Sequence, residues 1–571
     1  MLTRRRFLTV GAQAGFGAIA AGMAVPRLDG AFARLASLSP GPGLPVCGTD
    51  PILSINAGSS TVIGGVPFAP TWFGDVFPSG TFPFHQCESC DRSPSADEFV
   101  DVAVVGGGLS GLASAWLLRD RKPVLFELRP RFGGNAMGER WNEVPYSLGS
   151  AYFIVPDRGS RLEAMYRELG VLDKARIDLG PFTFEWKSLI EQNPCFQGCD
   201  PLQLAAVEAY RAAVEHFAYE AYPEIPLPER DDRWIRDLDR HSLKDWIAAK
   251  VGPHLPIAFQ EAIQAYCYSS FGIGWDELSA AAGWNFIAAE EFGRVVLPGG
   301  NASLAQAMWS QLRSLEAGGE CANGSLLRAG CLVEGVRVIG DGVEVRWREP
   351  SGKRRTLHAK HVILANGKHI ASRMVDDLGG LDPEKANLIP NVLTVPYLVA
   401  NVLLKRPVPT DIYDLFLLRD RRFPMDAASF QNDRRIVDVV DGSFALRPPP
   451  QRHDVLTLYW PLPWHTARFT IVGDGDWQAY AEIGASQIVR ALAVLGLGTE
   501  DIAQVRFTRW GHAMPFAQPG QIADGVAEAI RRPIADRIWF VNQDNWMLPA
   551  VETCLEEALT YTDLIRARLD A

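Results

Sequence analysis

The sequence predicts an α/β protein in which a discontinuous Rossmann-like domain carries an inserted α+β domain. Three observations predict it. Residues 101–135, DVAVVGGGLSGLASAWLLRDRKPVLFELRPRFGGN, read as strand, glycine turn, helix, strand and acid. A mainly helical stretch then runs from about residue 161 to 291. Strand-and-glycine segments resume after it, at 295–304, 331–345 and 362–367, and again at 538–546.

The first of these segments is the most specific. Val102, Ala103, Val104 and Val105 form an apolar run that ends at Gly106-Gly107-Gly108-Leu109-Ser110-Gly111, and Leu112, Ala115 and Trp116 then recur at helical spacing. The glycines act separately. Gly106 permits the tight turn, Gly108 admits a pyrophosphate to the backbone, and Gly111 lets the helix pack close to the strand. The helix start directs free N–H groups and a positive dipole end at phosphates. A second apolar run, Val124-Leu125-Phe126, delivers Glu127, a carboxylate placed to accept from a ribose 2′-hydroxyl.

After Glu127 come Leu128, Arg129, Pro130, Arg131 and Phe132, and then the pair Gly133-Gly134 followed by Asn135. Acid, basic residue and glycine pair in this order resemble the glutathione-reductase-like FAD proteins, and within them the flavin amine oxidase and phytoene desaturase superfamily. The resemblance implies FAD as cofactor, with its pyrophosphate along both glycine segments. It also implies that Tyr146-Ser147-Leu148-Gly149-Ser150-Ala151-Tyr152-Phe153 passes beside the isoalloxazine ring, where Gly149 and Ser150 allow close approach. By the same resemblance the backbone of Val333 bonds the adenine, and Asp544 serves the ribityl and phosphate region. The helix starting near Ala550, Val551 and Glu552 faces the pyrimidine end of the flavin, its dipole favouring negative charge there. No flavin-attachment residue is evident, so FAD is expected to be held noncovalently.

At 571 residues the chain has room for two or more domains, and a net charge of -11 without a long basic run argues against a nucleic-acid partner. Thr3-Arg4-Arg5-Arg6-Phe7-Leu8 has the form of a twin-arginine signal, followed by a Gly/Ala-rich run and an A-x-A site at Ala31-Phe32-Ala33. The alternative is a membrane anchor, for which the run is short. The twin-arginine translocase carries folded proteins, which suits an enzyme that encloses FAD before export. The expectation is a periplasmic or secreted protein whose electrons pass to oxygen, a quinone or a redox protein. Of nine cysteines, Cys47, Cys87, Cys90, Cys195 and Cys199 are candidates for a disulfide. Cys87-Glu88-Ser89-Cys90 lacks the second ligand pair of a zinc site, so no metal is expected.

These readings divide the chain into a signal (1–33), an extended arm rich in Pro, Gly and aromatics (34–96), an FAD-binding domain (97–160, 291–370 and 505–571) and a substrate domain (161–290 and 371–504). Within the last, helices are expected from Arg161 to Leu169, Leu202 to Tyr219 and Leu243 to Lys250.

The resemblance weakens at the substrate. The amine oxidases carry a Lys that holds a water at the flavin N5, and counting back from Lys405-Arg406-Pro407 places Val399 there. Ala550 stands where they carry a cage aromatic, and Glu557-Ala558 where a Ser-Gly pair is expected. In Arg509-Trp510-Gly511-His512, Trp510 offers an apolar wall, and His512 is either a structural histidine or the best acid/base candidate in the chain. The expected function is an FAD-dependent oxidoreductase taking hydride from a small or amphipathic substrate, acting on a C–N or C–C bond. An amine or polyamine dehydrogenase or oxidase ranks above a desaturase or double-bond isomerase of a lipid-like molecule, and a non-catalytic FAD protein is the rival from another class. Carboxylates lining the cavity favour the amine; an apolar tunnel favours the lipid.

Overall fold

The second half of strand Glu98–Val105, residues 102–105, is buried on both faces, which explains its unbroken apolar run. Val102 and Val104 pack with helices Leu109–Leu117, Ala302–Ser314 and Val551–Asp570. Ala103 and Val105 face the opposite core, which holds Phe126, Val345 and Trp347. Five parallel strands form this layer, in the order Leu327–Ala329, Val124–Glu127, Glu98–Val105, Arg354–Leu364 and Ile538–Phe540. The first half of Arg354–Leu364 also closes an antiparallel meander with Gly342–Arg348 and Leu332–Ile339. In this computed structural model the described residues are 49–76, 96, 98–180, 182–186, 189–192, 195, 198–228, 232–316, 326–418, 422–448 and 451–571. The twin-arginine segment, Cys47, Cys87 and Cys90 lie outside them.

A second, nine-stranded sheet has the order Leu189–Glu191, Phe184–Trp186, Asp414–Leu417, Asp438–Asp441, Asp454–Pro461, Thr394–Leu404, Ile502–Pro515, Val66–Gly74 and Thr61–Ile63. Leu398, Ala400 and Val402 turn to one face, against helix Trp477–Val494. Tyr397 and Val399 turn to the other, toward the helices between Pro201 and Ala289. The expected helices appear as Arg161–Glu168, Pro201–Tyr219 and Leu243–Lys250. Asp200 starts the second with a capping box completed by Gln203.

Two features differ from the division read in the sequence. Ile502–Pro515 runs its whole length beside Thr394–Leu404, so a cut at residue 505 would sever a continuous strand. The described part of the arm is paired strand, and not only a covering segment: Ile52–Ile55 adds to Gly138–Trp141, and Val66–Gly74 adds in parallel to Ile502–Pro515. Backbone pairing, together with burial of Phe68 and Trp72, holds it. Cys195 and Cys199 form a disulfide, while Cys267, Cys331 and Cys554 are free and buried. No described helix is long and apolar enough to cross a membrane.

A buried ion pair ties the nine-stranded sheet to the small sheet formed by Ile52–Ile55, Gly138–Trp141 and Val144–Ser147. Arg506 donates through Nε and Nη2 to the two oxygens of Glu139, each at 2.9 Å, and the Tyr146 hydroxyl donates to the same carboxylate at 2.5 Å. Removing one partner strands a buried charge, so Arg506→Met is expected to cost about 3–5 kcal/mol in denaturant unfolding. The double variant with Glu139→Gln should cost less than the sum of the singles.

His361 supplies a pH signature. It is buried, its Nδ1 accepts the Trp539 indole N–H at 3.3 Å, and burial together with Arg537 and Arg568 pushes its pKa down to about 4. The unfolded imidazole, near an ordinary pKa of about 6.5, binds its proton first as pH falls, so stability present above that value is lost on descent toward 4. Unfolding midpoints measured across this range should fall less steeply in His361→Gln than in the parent.

Candidate active site

The glycine crossover is fixed by contacts that leave no room for a side chain. A Cβ on Gly111 would lie 1.7 Å from the Gly106 carbonyl oxygen, so the helix rests directly on the turn. Gly107 donates its N–H to Glu127 Oε2 at 2.7 Å, and the Gly133 N–H donates to the Gly107 carbonyl at 2.8 Å. Gly134 adopts φ +58°, and a Cβ there would stand 2.9 Å from Gly108 Cα. The two glycine segments are thus one surface. Helix Leu109–Leu117 begins at Gly108 with no side-chain cap, leaving its first N–H groups to a ligand.

Every residue expected to hold the cofactor lines one cavity of about 1120 Å³, except Gly111, which packs behind it. Glu127 is also occupied: besides Gly107 it accepts the Arg129 N–H at 2.8 Å, so it braces the loop that a ribose would meet. The Arg129 guanidinium pairs with Asp75 and lies 5.5 Å over the Trp510 ring. At the other end Asp544 accepts the Lys368 N–H at 2.8 Å, and burial raises its pKa. Helix Val551–Asp570 opens on the cavity with Ala550 as an uncapped start. Glu557, expected as a departure from a Ser-Gly pair, is buried against Arg531, Asn545 and Trp546.

Trp510 lines the wall beside Gly149, its indole N–H donating to the Leu148 carbonyl at 2.9 Å. Val399 also lines the cavity. His512 presents its open surface to the cavity and stacks on His369 with centroids 3.8 Å apart. Its Nδ1 lies 2.6 Å from Thr394 Oγ1, which also accepts from Arg468 at 3.3 Å. Thr394 Oγ1 keeps a second lone pair and its own proton, so either partner can donate in this contact. Burial, His369 and Arg468 hold the pKa of His512 well below the usual value, so near neutral pH the ring is a hydrogen-bond donor rather than an acid.

The sequence reading missed the carboxyl groups of the same cavity. Asp414 and Asp438 come from neighbouring strands of the nine-stranded sheet and Glu290 from the short helical turn Glu290–Phe292. Tyr152 and Tyr266 donate to Glu290 Oε1 at 2.8 and 2.9 Å. Arg294 donates to Asp414 at 2.7 Å and to Asp178 at 2.9 Å, and its Nε lies 3.7 Å from Glu290. Burial raises the pKa of Glu290 and Asp414, although Arg294 opposes it. For Asp438, burial and the adjacent Asp414 act together and hold it well above the carboxylate range. One guanidinium faces four carboxyl groups. The available signal was an acid inside an apolar strand, as in Tyr413-Asp414-Leu415-Phe416 and Val437-Asp438-Val439-Val440.

The family model for flavin containing amine oxidoreductases matches residues 109–467. The chain belongs to this family. Among curated proteins it is similar to oxidoreductase PigB of Serratia sp., 22% identical over 564 residues, covering 86% of this chain and 79% of that protein. Among solved structures it is similar to cyclohexylamine oxidase from Brevibacterium oxydans IH-35A, with a TM-score of 0.58 and 14% identity, over 83% of this chain and 100% of that one. A putrescine oxidase with a redesigned cofactor site gives a TM-score of 0.59 and 17% identity, over 82% and 99% of the two chains. These structural likenesses are of fold. The family's cofactor is a flavin, and the uncapped helix start, the paired glycine segments and the length of the cavity fit one.

Gly111→Ala forces the helix off the turn, so purified protein is expected to retain less than about a tenth of the parent's flavin, a loss of about 1.4 kcal/mol or more in binding. Absorbance of the released flavin per mole of protein checks it.

Proposed function

We propose that this chain is an exported FAD-dependent oxidoreductase that dehydrogenates an amine at the carbon bearing nitrogen. The observation that carries the reading is the group Glu290, Asp414 and Asp438 in the wall of the flavin cavity, an excess of acid that a cationic substrate would offset. A lipid-like substrate calls for an apolar wall, and its desaturation or isomerisation gives these buried carboxyls no role. A non-catalytic FAD protein gives them none either.

FAD rather than a smaller flavin is supported by the extent of the cavity, which reaches from Val333 and Glu127 to Asp544 and Val551. The glycine surface and the start of helix Leu109–Leu117 would hold the pyrophosphate, and Glu127 with Val333 the adenosine end. Asp544 and the start of Val551–Asp570 would hold the ribityl and pyrimidine end. When bound, the flavin supplies the two-electron acceptor for hydride.

The chain's own residues do the rest. The carboxyl groups bind the ammonium, and Tyr397, Phe416 and Phe286 flank the carbon skeleton. A neutral His512 can hydrogen-bond the substrate without changing its charge. Export through the twin-arginine translocase is supported by Arg4-Arg5-Arg6 and the A-x-A site, and would leave oxygen, a quinone or a redox protein as electron acceptor.

Anaerobic mixing with a panel of primary amines, diamines and unsaturated lipids tests the reading. Amines are expected to bleach the oxidised flavin spectrum and lipids to leave it unchanged. Bleaching by lipids alone, or by dithionite but no organic compound, would overturn it.

A further inference from the structure

We propose that Asp438 is a catalytic residue, the base that takes a proton from the substrate's ammonium nitrogen, and that Asp414 is its partner in holding that proton. The proposal rests on the amine reading above.

Phe416, Asp438, Tyr459 and Val399 are successive register partners across four strands, and all four line the cavity. With strands about 4.8 Å apart, the Asp438 backbone is roughly 10 Å from that of Val399, and the side chain of Tyr459 lies between. The Tyr459 hydroxyl donates to the Gly149 carbonyl at 2.6 Å, which ties this row to the segment expected beside the flavin ring. A nitrogen held at Asp438 thus has its carbon directed at the reacting end of the cavity.

The carboxyl group is held for proton exchange. Asp438 is only 4% exposed; one oxygen accepts the Ser269 hydroxyl at 2.8 Å, and the other meets no donor and lies against the carboxyl of Asp414. Asp414 in turn accepts from Arg294. Behind the pair stand Arg294, Asp178 and Glu290, and around it the hydroxyls of Tyr152, Tyr397, Tyr413 and Tyr459. Two carboxyls in contact do not both ionise. Arg294 stabilises the charge on Asp414, so the resting proton sits on Asp438.

An entering ammonium ion supplies the missing cation, and the resting proton leaves to solvent. An N–H bond of the substrate then breaks, an O–H bond forms on Asp438, and the electron pair stays on nitrogen. Ammonium and carboxylate become amine and carboxylic acid, with no oxidant consumed. The free lone pair is the condition for the adjacent carbon to lose hydride. The raised pKa of Asp438 brings it closer to that of an alkylammonium, which makes the transfer less uphill.

Two measurements test this. Asp438→Asn holoenzyme is mixed anaerobically with phenethylamine and with β,β-difluorophenethylamine, whose weakly basic nitrogen arrives largely neutral at slightly alkaline pH. Flavin reduction by phenethylamine is expected to slow by about 10²–10⁴-fold, as for loss of a general base, and reduction by the fluorinated amine by only a few-fold. Equal slowing of both, or of neither, overturns the assignment while leaving the amine reading intact; a parent enzyme reduced by none of the panel amines, these two included, removes the amine reading itself. The second measurement needs no variant. The infrared C=O band of the protonated carboxyl in the holoenzyme should vanish on adding benzyltrimethylammonium, which has no N–H proton. It should persist with cumylamine, a primary amine lacking the C–H bond that is oxidised. Loss of the band with both ligands makes Asp438 a counterion only, and a band unchanged by either places the pair out of reach of the ligand.

Discussion

Arg294 is the interaction on which the substrate half of the molecule depends. Its strand, Arg294–Val296, pairs with Tyr152–Ile154 and Arg176–Asp178, while its guanidinium reaches across to Asp414 on the nine-stranded sheet. Burial works against its charge, but Asp414, Glu290 and Asp178 more than compensate and hold its pKa above the ordinary value. The contact joins the two halves of the cavity wall. It also leaves the wall short of positive charge, because one cation serves Asp178, Glu290 and Asp414, while burial and Asp414 hold Asp438 beside them well above the carboxylate range. An arrangement that buries so many acids is poorly accounted for by stability alone, since well-packed apolar residues would serve that purpose as well. On the amine reading proposed above, a cationic ligand would give it a use.

The flavin half follows a different constraint, the exclusion of side chains. Gly111 lies against the Gly106 carbonyl and Gly134 against Gly108, so the backbone itself forms the surface available to a phosphate. Glu127 does not merely face this surface; its two oxygens hold the N–H groups of Gly107 and Arg129 and so fix the loop's shape. The two halves meet along Gly149 and Trp510, where Tyr459 and the Leu148 carbonyl hold the sheet to the cofactor segment.

How much of this was legible in the sequence follows from the range of each signal. The crossover from Glu98 to Glu127 was readable because strand, turn and helix are contiguous and each glycine answers a local steric need. The helix Leu243–Lys250 was readable from its periodicity. The carboxyl cluster was not, since Asp178, Glu290, Asp414 and Asp438 are up to 260 residues apart and meet only through strand pairing and the packing of a helical turn. The strand character of Val66–Gly74 was hidden for a related reason: its partner lies more than 400 residues away, and proline and glycine obscure its alternation. His512 was found by position, but its neutral state is set by burial, His369 and Arg468, which no local pattern announces.

The central claim is that the cavity selects positive charge. Three ligands of one shape, none of them oxidisable at the position in question, test it: cumylamine as the cation, cumyl alcohol as the neutral form and 2-methyl-2-phenylpropanoate as the anion. Their affinities for the oxidised holoenzyme, read from perturbation of the flavin spectrum, should fall steeply in that order, with the anion excluded. Comparable affinity for all three, or preference for the alcohol or the anion, would contradict the account.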